Sequence, residues 1–292
     1  MIELSVIIPC RDHALELREC LASITRQRAS FQFEVIVVDS AKDDRVEAVI
    51  REFPTVRLAR AGEPLSAGAA RNRGVAEAQA NLIGFIDADC VADPDWLTRS
   101  REAIADPSVR LAGGSVEDLH PRRWVAVADN RLQFAHLVDT RRELTARHFP
   151  ACNMVLRRED FLAVGGFPDL SAGEDILLCN AMIARWPEGL RFAPEMRVRH
   201  AGRSTWGSYL LHQEQFGFAR ARARLHLKAW HLRLGRWRAM VPLIAFKRLT
   251  YLFATGLRHG GFGKTLLLSP LLVPGLWRYA NGFVRGCRVT QS

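Results

Sequence analysis

The chain of 292 residues is 48% hydrophobic and 25% charged, proportions ordinary for a globular protein with one large α/β core or two modest ones. Its net charge of +10 is unevenly placed: residues 201–292 hold fifteen Lys and Arg against the single acid Glu214, so that third carries +14 and residues 1–200 carry −4. This excludes a generally basic protein and points to one surface for anionic partners.

Six cysteines (Cys10, Cys20, Cys90, Cys152, Cys179, Cys287) form no C-x-x-C pair, and several lie in apolar runs. That usage predicts free thiols in a reducing compartment. Met1-Ile-Glu-Leu-Ser runs straight into a strand-like segment with no basic and apolar leader, which predicts no secretory signal and a cytoplasmic location.

Leu4-Ser-Val-Ile-Ile-Pro9 reads as a strand stopped by proline. Leu15 to Arg26, with Leu15, Leu17, Leu21 and Ile24 near helical spacing, reads as a helix. The pattern repeats: Phe33 to Val38 is a second strand ending in Asp39, and Val46 to Phe53 a second helix closed by Pro54. Val56 to Ala59 gives a third strand, Ala67 to Ala80 an Ala-rich helix, and Leu82 to Ile86 a fourth strand. Such alternation predicts a parallel sheet with right-handed crossovers, whose strand C-termini form a ligand crevice. Asp39 and Asp87 then share one edge.

The fourth strand ends in Asp87-Ala88-Asp89. Two acids there can hold a hard divalent ion such as Mg²⁺ or Mn²⁺ and share it with substrate phosphates, although a lone D-x-D is equally consistent with a solvated turn. The segment Leu65 to Gly74 opens the third helix with small residues that permit close backbone approach, and its Arg71 and Arg73 offer planar donors for phosphate or carboxylate.

Further on, Pro94-Asp-Trp-Leu starts a helix, Val109 to Val116 reads as a strand containing Gly113-Gly114, and Arg122 to Leu144 as a helix. Ala151 to Leu156 is a short strand, Leu162 to Pro168 a turn, and Gly173-Glu174-Asp175 begins a helix. Acids in a first turn are favoured by the helix dipole without any catalytic role.

From Arg197-Val-Arg-His200 onward the character changes. Ser204 to Leu227 reads as a basic, aromatic helix, and apolar stretches follow at Met240–Phe246, Leu249–Leu257 and Thr265–Trp277. None supplies roughly eighteen clean apolar residues, since Lys247-Arg248 divides the first two and Pro270 and Pro274 break the last. With Trp206, Trp230, Trp237 and Trp277 among many Arg, the segment predicts amphipathic helices in a membrane interface. The other reading is a helical subdomain packed on the core. Leucine-rich runs at the centre of this basic region argue against nucleic acid.

In order and spacing, Ser5-Val-Ile-Ile-Pro9, Val35-Ile-Val-Val-Asp39, Gly68-Ala-Ala-Arg71-Asn72-Arg-Gly74, Asp87-Ala-Asp89, Asn153-Met154, Gly165-Gly-Phe167 and Gly173-Glu-Asp175 resemble the family 2 glycosyltransferases. These are nucleotide-sugar-dependent enzymes of the GT-A fold, an α/β, Rossmann-like, mostly parallel sheet flanked by helices. The resemblance implies a catalytic domain over residues 1–205, with a nucleotide-sugar half (1–115) and an acceptor half (116–205), followed by a basic and apolar helical extension (206–292).

It further implies that Pro9 and Asp39 lie around the base and ribose, that Arg71 sits by the nucleotide pocket, and that Asp87 contacts ribose or metal. Asp89 would ligate the metal with His200 as a further ligand, Asn153 would line the acceptor side, and Asp175 would be the catalytic base with Glu174 beside it. The implied activity is inverting transfer of one sugar from a nucleotide-sugar, a UDP-sugar foremost, to an acceptor hydroxyl; docking of the C-terminal third on anionic lipid would make that acceptor lipid-linked or a cell-envelope saccharide. The implied cofactor is Mg²⁺ or Mn²⁺.

Two segments depart from the family pattern: Arg11-Asp12 stands where Tyr-Asn is common, and Asp39-Ser40-Ala41-Lys42 replaces Asp-Asp-Gly-Ser. Gln213-Glu-Gln-Phe-Gly217 is not the Q-x-x-R-W of processive synthases, which favours single transfer. Haloacid-dehalogenase phosphatases carry their D-x-D after the first strand, and sugar-phosphate nucleotidyltransferases open with a Gly-rich loop, so neither fits. A membrane-docked nucleotide-sugar sensor would keep Asp39 and Asp89 without needing Asp175. An anionic membrane surface is an expected partner, placing the protein peripherally on the inner face of the cytoplasmic membrane.

Overall fold

The computed structural model describes residues 1–11, 13–137, 148–170, 173–227 and 235–289. They form two compact units, one of Met1–Glu117 with Arg141–His200, the other of Asp118–Thr140 with Ala201–Ser292. In chain order the elements are β1 (Ile2–Cys10), α1 (Ala14–Thr25), β2 (Gln32–Asp39), α2 (Arg45–Ile50), β3 (Val56–Arg60), α3 (Ala67–Glu77), β4 (Leu82–Ile86), β5 (Cys90–Ala92), α4 (Trp96–Ala103), β6 (Leu111–Asp118) and α5 (Trp124–Phe134). There follow β7 (Asn153–Arg157), α6 (Arg158–Ala163), α7 (Glu174–Arg185), β8 (Leu190–His200), α8 (Trp206–His226), α9 (Val241–His259) and α10 (Phe262–Arg288).

The first unit is built on one sheet of order β3-β2-β1-β4-β7-β6-β8-β5. Its β3-β2-β1-β4 half is parallel, as the strand and helix alternation requires, and its apolar runs are buried on both faces. Helix α3 lies so close to β1 that a Cβ on Gly74 would meet Ile7 Cγ2 at 2.4 Å. Pro9 does not stop β1, which runs on to Cys10. The β4 ladder ends at Ile7, so the missing N–H of Pro9 falls beyond it.

The remaining half is antiparallel, with β7 against β4 and β6, and β5 against β8. Four strand spacings separate β4 from β5 in this order, about 19 Å in a flat sheet. Ile86 and Cys90 are only four residues apart, a reach of about 14 Å, so the sheet must curl to bring β5 back toward β4. Neither β5 nor β8 was legible in the sequence. β5 has three residues, and β8 carries Pro194 and several charges, its alternation clear only at Met196, Val198 and His200.

The second unit packs α5, α8, α9 and α10 around Val127, Leu132, Tyr209, Leu252, Leu268 and Leu272. Helices α8 and α10 meet backbone to backbone, since a Cβ on Gly217 would fall 2.0 Å from the Tyr279 carbonyl oxygen and one on Gly282 1.9 Å from that of Glu214. Two expectations are corrected here. The apolar stretches on either side of Lys247-Arg248 join in one helix, and Arg238–His259, 22 residues with mean hydropathy 1.2 over its best window, is long and apolar enough to cross a membrane by length and composition. Two charges do not break a helix whose backbone bonds are internal. Likewise Pro270 and Pro274 lie inside α10, and Tyr209 Oη donates to the Leu271 carbonyl at 2.8 Å, one residue past the Pro270 carbonyl that Pro274 leaves without an N–H. The helix expected over 122–144 begins at Trp124 and is described to Phe134; residues 138–147, Asp12 and Trp230 lie outside the described residues.

A buried charge joins α5 to α8. Asp129, fully buried, accepts from His212 Nδ1 at 2.9 Å, Gln213 Nε2 at 2.7 Å and the Arg203 N–H at 3.0 Å. Burial works against the charge, but the hydrogen bond and charge of His212, then Gln213 and Arg203, outweigh it and hold the carboxyl below its usual range. Its contribution to stability is therefore complete above the unfolded-state pKa of about 3.9 and fades as pH falls through the folded value. Asp129→Ala should lower unfolding free energy by about 3 kcal/mol near neutral pH and flatten the acid limb of stability, both read from urea midpoints between pH 3 and 7.

Candidate functional site

Ser66 caps α3 by accepting from the Ala69 N–H at 3.1 Å. The helix then presents Arg71 and Asn72. Asn72 grips the glycine turn, with Nδ2 donating to the Phe167 carbonyl at 2.8 Å and Oδ1 accepting from the Phe167 N–H at 3.0 Å. Gly165 and Gly166 hold φ of +86° and +71°, a region that favours glycine. The turn seats the Phe167 ring against Phe85 and Phe161, with centroids 5.2 and 5.4 Å away, and the Arg71 guanidinium carbon lies 5.5 Å over the Phe167 centroid.

From that seat Arg71 joins two distant carboxylates. Nη2 donates to Asp87 Oδ1 at 2.5 Å and Nη1 to Glu174 Oε1 at 2.8 Å, with Arg71 only 3% exposed. Burial opposes the charge, yet the two carboxylates overcome it and raise the guanidinium above the ordinary arginine value. Arg71 therefore ties the end of β4 to the start of α7. Its terminal nitrogens are turned onto these acids, so beside Asp87 it has a positioning role. Glu174 and Asp175 part company as well: Glu174 is buried on Arg71, while the half-buried Asp175 accepts the Ile176 N–H at 2.7 Å.

Asp89 and His200 come together, His200 Nε2 lying 3.6 Å from Asp89 Oδ1. Cys90 and His200 are directly opposite in the β5–β8 ladder, so their side chains share a face, and the donor atoms of Asp89, Cys90 and His200 all lie within 4.8 Å of one another. A carboxylate and an imidazole suit a divalent ion such as Mn²⁺. Burial foremost, then Cys152 and the two acids, pushes the Cys90 thiol up and keeps it neutral. Nothing in the spacing of residues 89 and 200 reveals this meeting, since β8 was missed.

Asp39 ends β2 in register with Cys10, accepts the Ala41 N–H at 2.8 Å, and is 3% exposed; burial raises its pKa against the pull of Ala41 and Arg60. Pro9 sits opposite Val38 one residue earlier, so both stand at the strand ends where ligands of open α/β sheets bind. Asn153, expected on the acceptor side, is fully buried. Its Oδ1 accepts from the Trp96 indole at 2.9 Å, and Nδ2 donates to the carbonyls of Ser115 and Met196, each at 2.8 Å, so it pins the sheet. Arg71→Met should cost about 3 kcal/mol of unfolding free energy, and a double-mutant cycle with Glu174→Gln should show coupling; additive effects in urea denaturation would deny the bridge.

The sequence profile of glycosyl transferase family 2 matches residues 5–165, more than half of the chain. Glycosyltransferase AglE of Haloferax volcanii is 30% identical over 179 residues, 59% of this chain and 58% of its own length. Chondroitin synthase of Escherichia coli is 31% identical over 129 residues, 42% of this chain and 18% of its own. The chain thus spans less than two thirds of the length of these curated relatives. The solved mannosyltransferase PcManGT from Pyrobaculum calidifontis, in complex with GDP-Man and Mn²⁺, superimposes with a TM-score of 0.58 at 20% identity, covering 93% of this chain and 85% of that one, so the two share the GT-A fold. With its profile match and its fold in agreement, this chain belongs to glycosyl transferase family 2.

Proposed function

We propose that the protein moves one sugar from a nucleoside-diphosphate sugar to an acceptor hydroxyl, with inversion at the anomeric carbon. The observation that carries this reading is the Arg71 bridge, which joins the acid at the end of β4 to the helix that presents Asp175. Pro9 and Asp39 line the strand ends for base and ribose, and Asp87, steadied by Arg71, faces the same crevice. Asp89 and His200 would hold a Mg²⁺ or Mn²⁺ ion, which when bound supplies positive charge against the departing diphosphate. Asp175 takes the proton of the acceptor hydroxyl as that oxygen attacks. The GDP-Man and Mn²⁺ of the mannosyltransferase complex support a nucleotide-sugar and a divalent ion as partners; a UDP-sugar is the proposed donor.

The proposed acceptor is lipid-linked or a cell-envelope saccharide, and the proposed location is the inner face of the cytoplasmic membrane. Exposed apolar side chains on α9 and α10, among them Leu243, Phe246, Leu257, Leu267 and Trp277, accompany the +14 charge of residues 201–292 and support that reading.

Asp175→Asn should slow acceptor-dependent release of nucleoside diphosphate by about 10²–10⁴-fold while donor binding, followed by calorimetry, stays intact; near-normal turnover would take Asp175 out of the role. The full chain should float with vesicles containing anionic lipid and lose them in high salt, whereas equal partitioning to neutral vesicles, or none to either, would count against electrostatic docking.

A further inference from the structure

The turn that leaves β4 brings a sulfur to Asp89 and His200. The Cys90 N–H donates to the Asp87 carbonyl at 3.0 Å, closing a turn that sets Asp89 immediately before β5. The ladder then pairs Cys90 with His200, Val91 with Arg199 and Ala92 with Val198. The Cys90 sulfur and the His200 ring therefore leave the same face of the sheet from opposed positions. Asp87 Oδ1, by contrast, is taken by Arg71.

The donors stand at the spacing of a coordination shell. Two ligands at about 2.1 Å from a tetrahedral ion are about 3.4 Å from each other, and His200 Nε2 lies 3.6 Å from Asp89 Oδ1. Since all three donor atoms lie within 4.8 Å of one another, the sulfur joins that shell with a movement on the order of 1 Å. Cys90 is fully buried, while the Asp89 and His200 side chains are 14% and 10% exposed. An ion can thus reach the sulfur past the carboxylate and imidazole.

Donor chemistry decides which ion gains from the sulfur. Mg²⁺ takes oxygen ligands, and Mn²⁺ is content with carboxylate and water, so a thiol adds little for either. Carboxylate, imidazole and thiolate together are a donor set for Zn²⁺ and Co²⁺, with a fourth position left over. Such ions already bind more tightly than Mn²⁺ to a given set, and sulfur widens the gap. As the metal–sulfur bond forms, the thiol proton passes to solvent.

We propose that Cys90 is a third protein ligand, beside Asp89 and His200, for a thiophilic divalent ion of the Zn²⁺ class, and that it makes the site prefer such an ion to Mg²⁺ or Mn²⁺. The proposal rests on the function proposed above only in placing an ion on Asp89 and His200.

The test is optical titration of the full chain, freed of metal by chelation, with Co²⁺, which accepts the ligands of Zn²⁺ and reports sulfur by a near-ultraviolet charge-transfer band. The unaltered protein should develop the band and lose it when Zn²⁺ is added. Cys90→Ser should lack the band and bind Zn²⁺ about tenfold or more weakly, while Mn²⁺ binding, followed by electron paramagnetic resonance, stays within about twofold. Cys152→Ser, which removes the sulfur beside Cys90, should keep the band. Zinc-edge X-ray absorption of the unaltered protein, a measurement independent of any variant folding, should show a single sulfur at about 2.3 Å. The proposal is overturned by no band in the unaltered protein, by a band that survives Cys90→Ser or vanishes in folded Cys152→Ser, or by an absorption spectrum with no sulfur or several. Mn²⁺ binding without a sulfur band removes Cys90 alone and leaves the transfer reading standing; failure of the unaltered protein to bind Mn²⁺ as well would take the metal out of both.

Discussion

One guanidinium holds the candidate site together. Arg71 reaches Asp87 and Glu174 at once, and each of the three would be costly to bury alone. The fork geometry of arginine lets one cation satisfy two carboxylates from different segments, which a lysine ammonium would do less rigidly. The Phe167 ring beneath it is set by the glycine turn that Asn72 clamps, so α3, the end of β4 and the start of α7 are positioned as one body.

The sheet supplies the remaining placement. Its parallel half delivers Asp39 and Asp87 to one edge, at the ends of β2 and β4 with β1 between them, and its antiparallel half returns the chain so that β8 closes on β5 and His200 meets Asp89. Tight packing enforces the return: a Cβ on Gly114 would fall 1.8 Å from the Met196 carbonyl oxygen, so β6 and β8 tolerate nothing larger there. Asn153 spends its whole amide on the same junction.

The second unit obeys a different economy. Its helices approach through glycines and carry Asp129 inside their packed faces, while large apolar side chains point outward on α9 and α10. Charges in such a bundle persist where specific partners hold them. For Asp129 those partners are His212, Gln213 and the Arg203 N–H; for Arg248 they are the Leu132 carbonyl and the Tyr279 ring.

Local pattern determined a good deal of this protein. The strands β1 to β4, the helices between them, the acid pair closing β4 and the long basic helix α8 follow from periodicity and from proline and glycine placement, because each depends on near neighbours in sequence. The order of motifs was enough to identify the family. Tertiary structure alone decided the rest. The Arg71 bridge spans 103 residues to Glu174, and His200 reaches Asp89 only after β8 pairs with the edge strand β5. In each case the deciding energy comes from burying a charge or closing a ladder against a distant partner, and residue spacing along the chain carries no record of it.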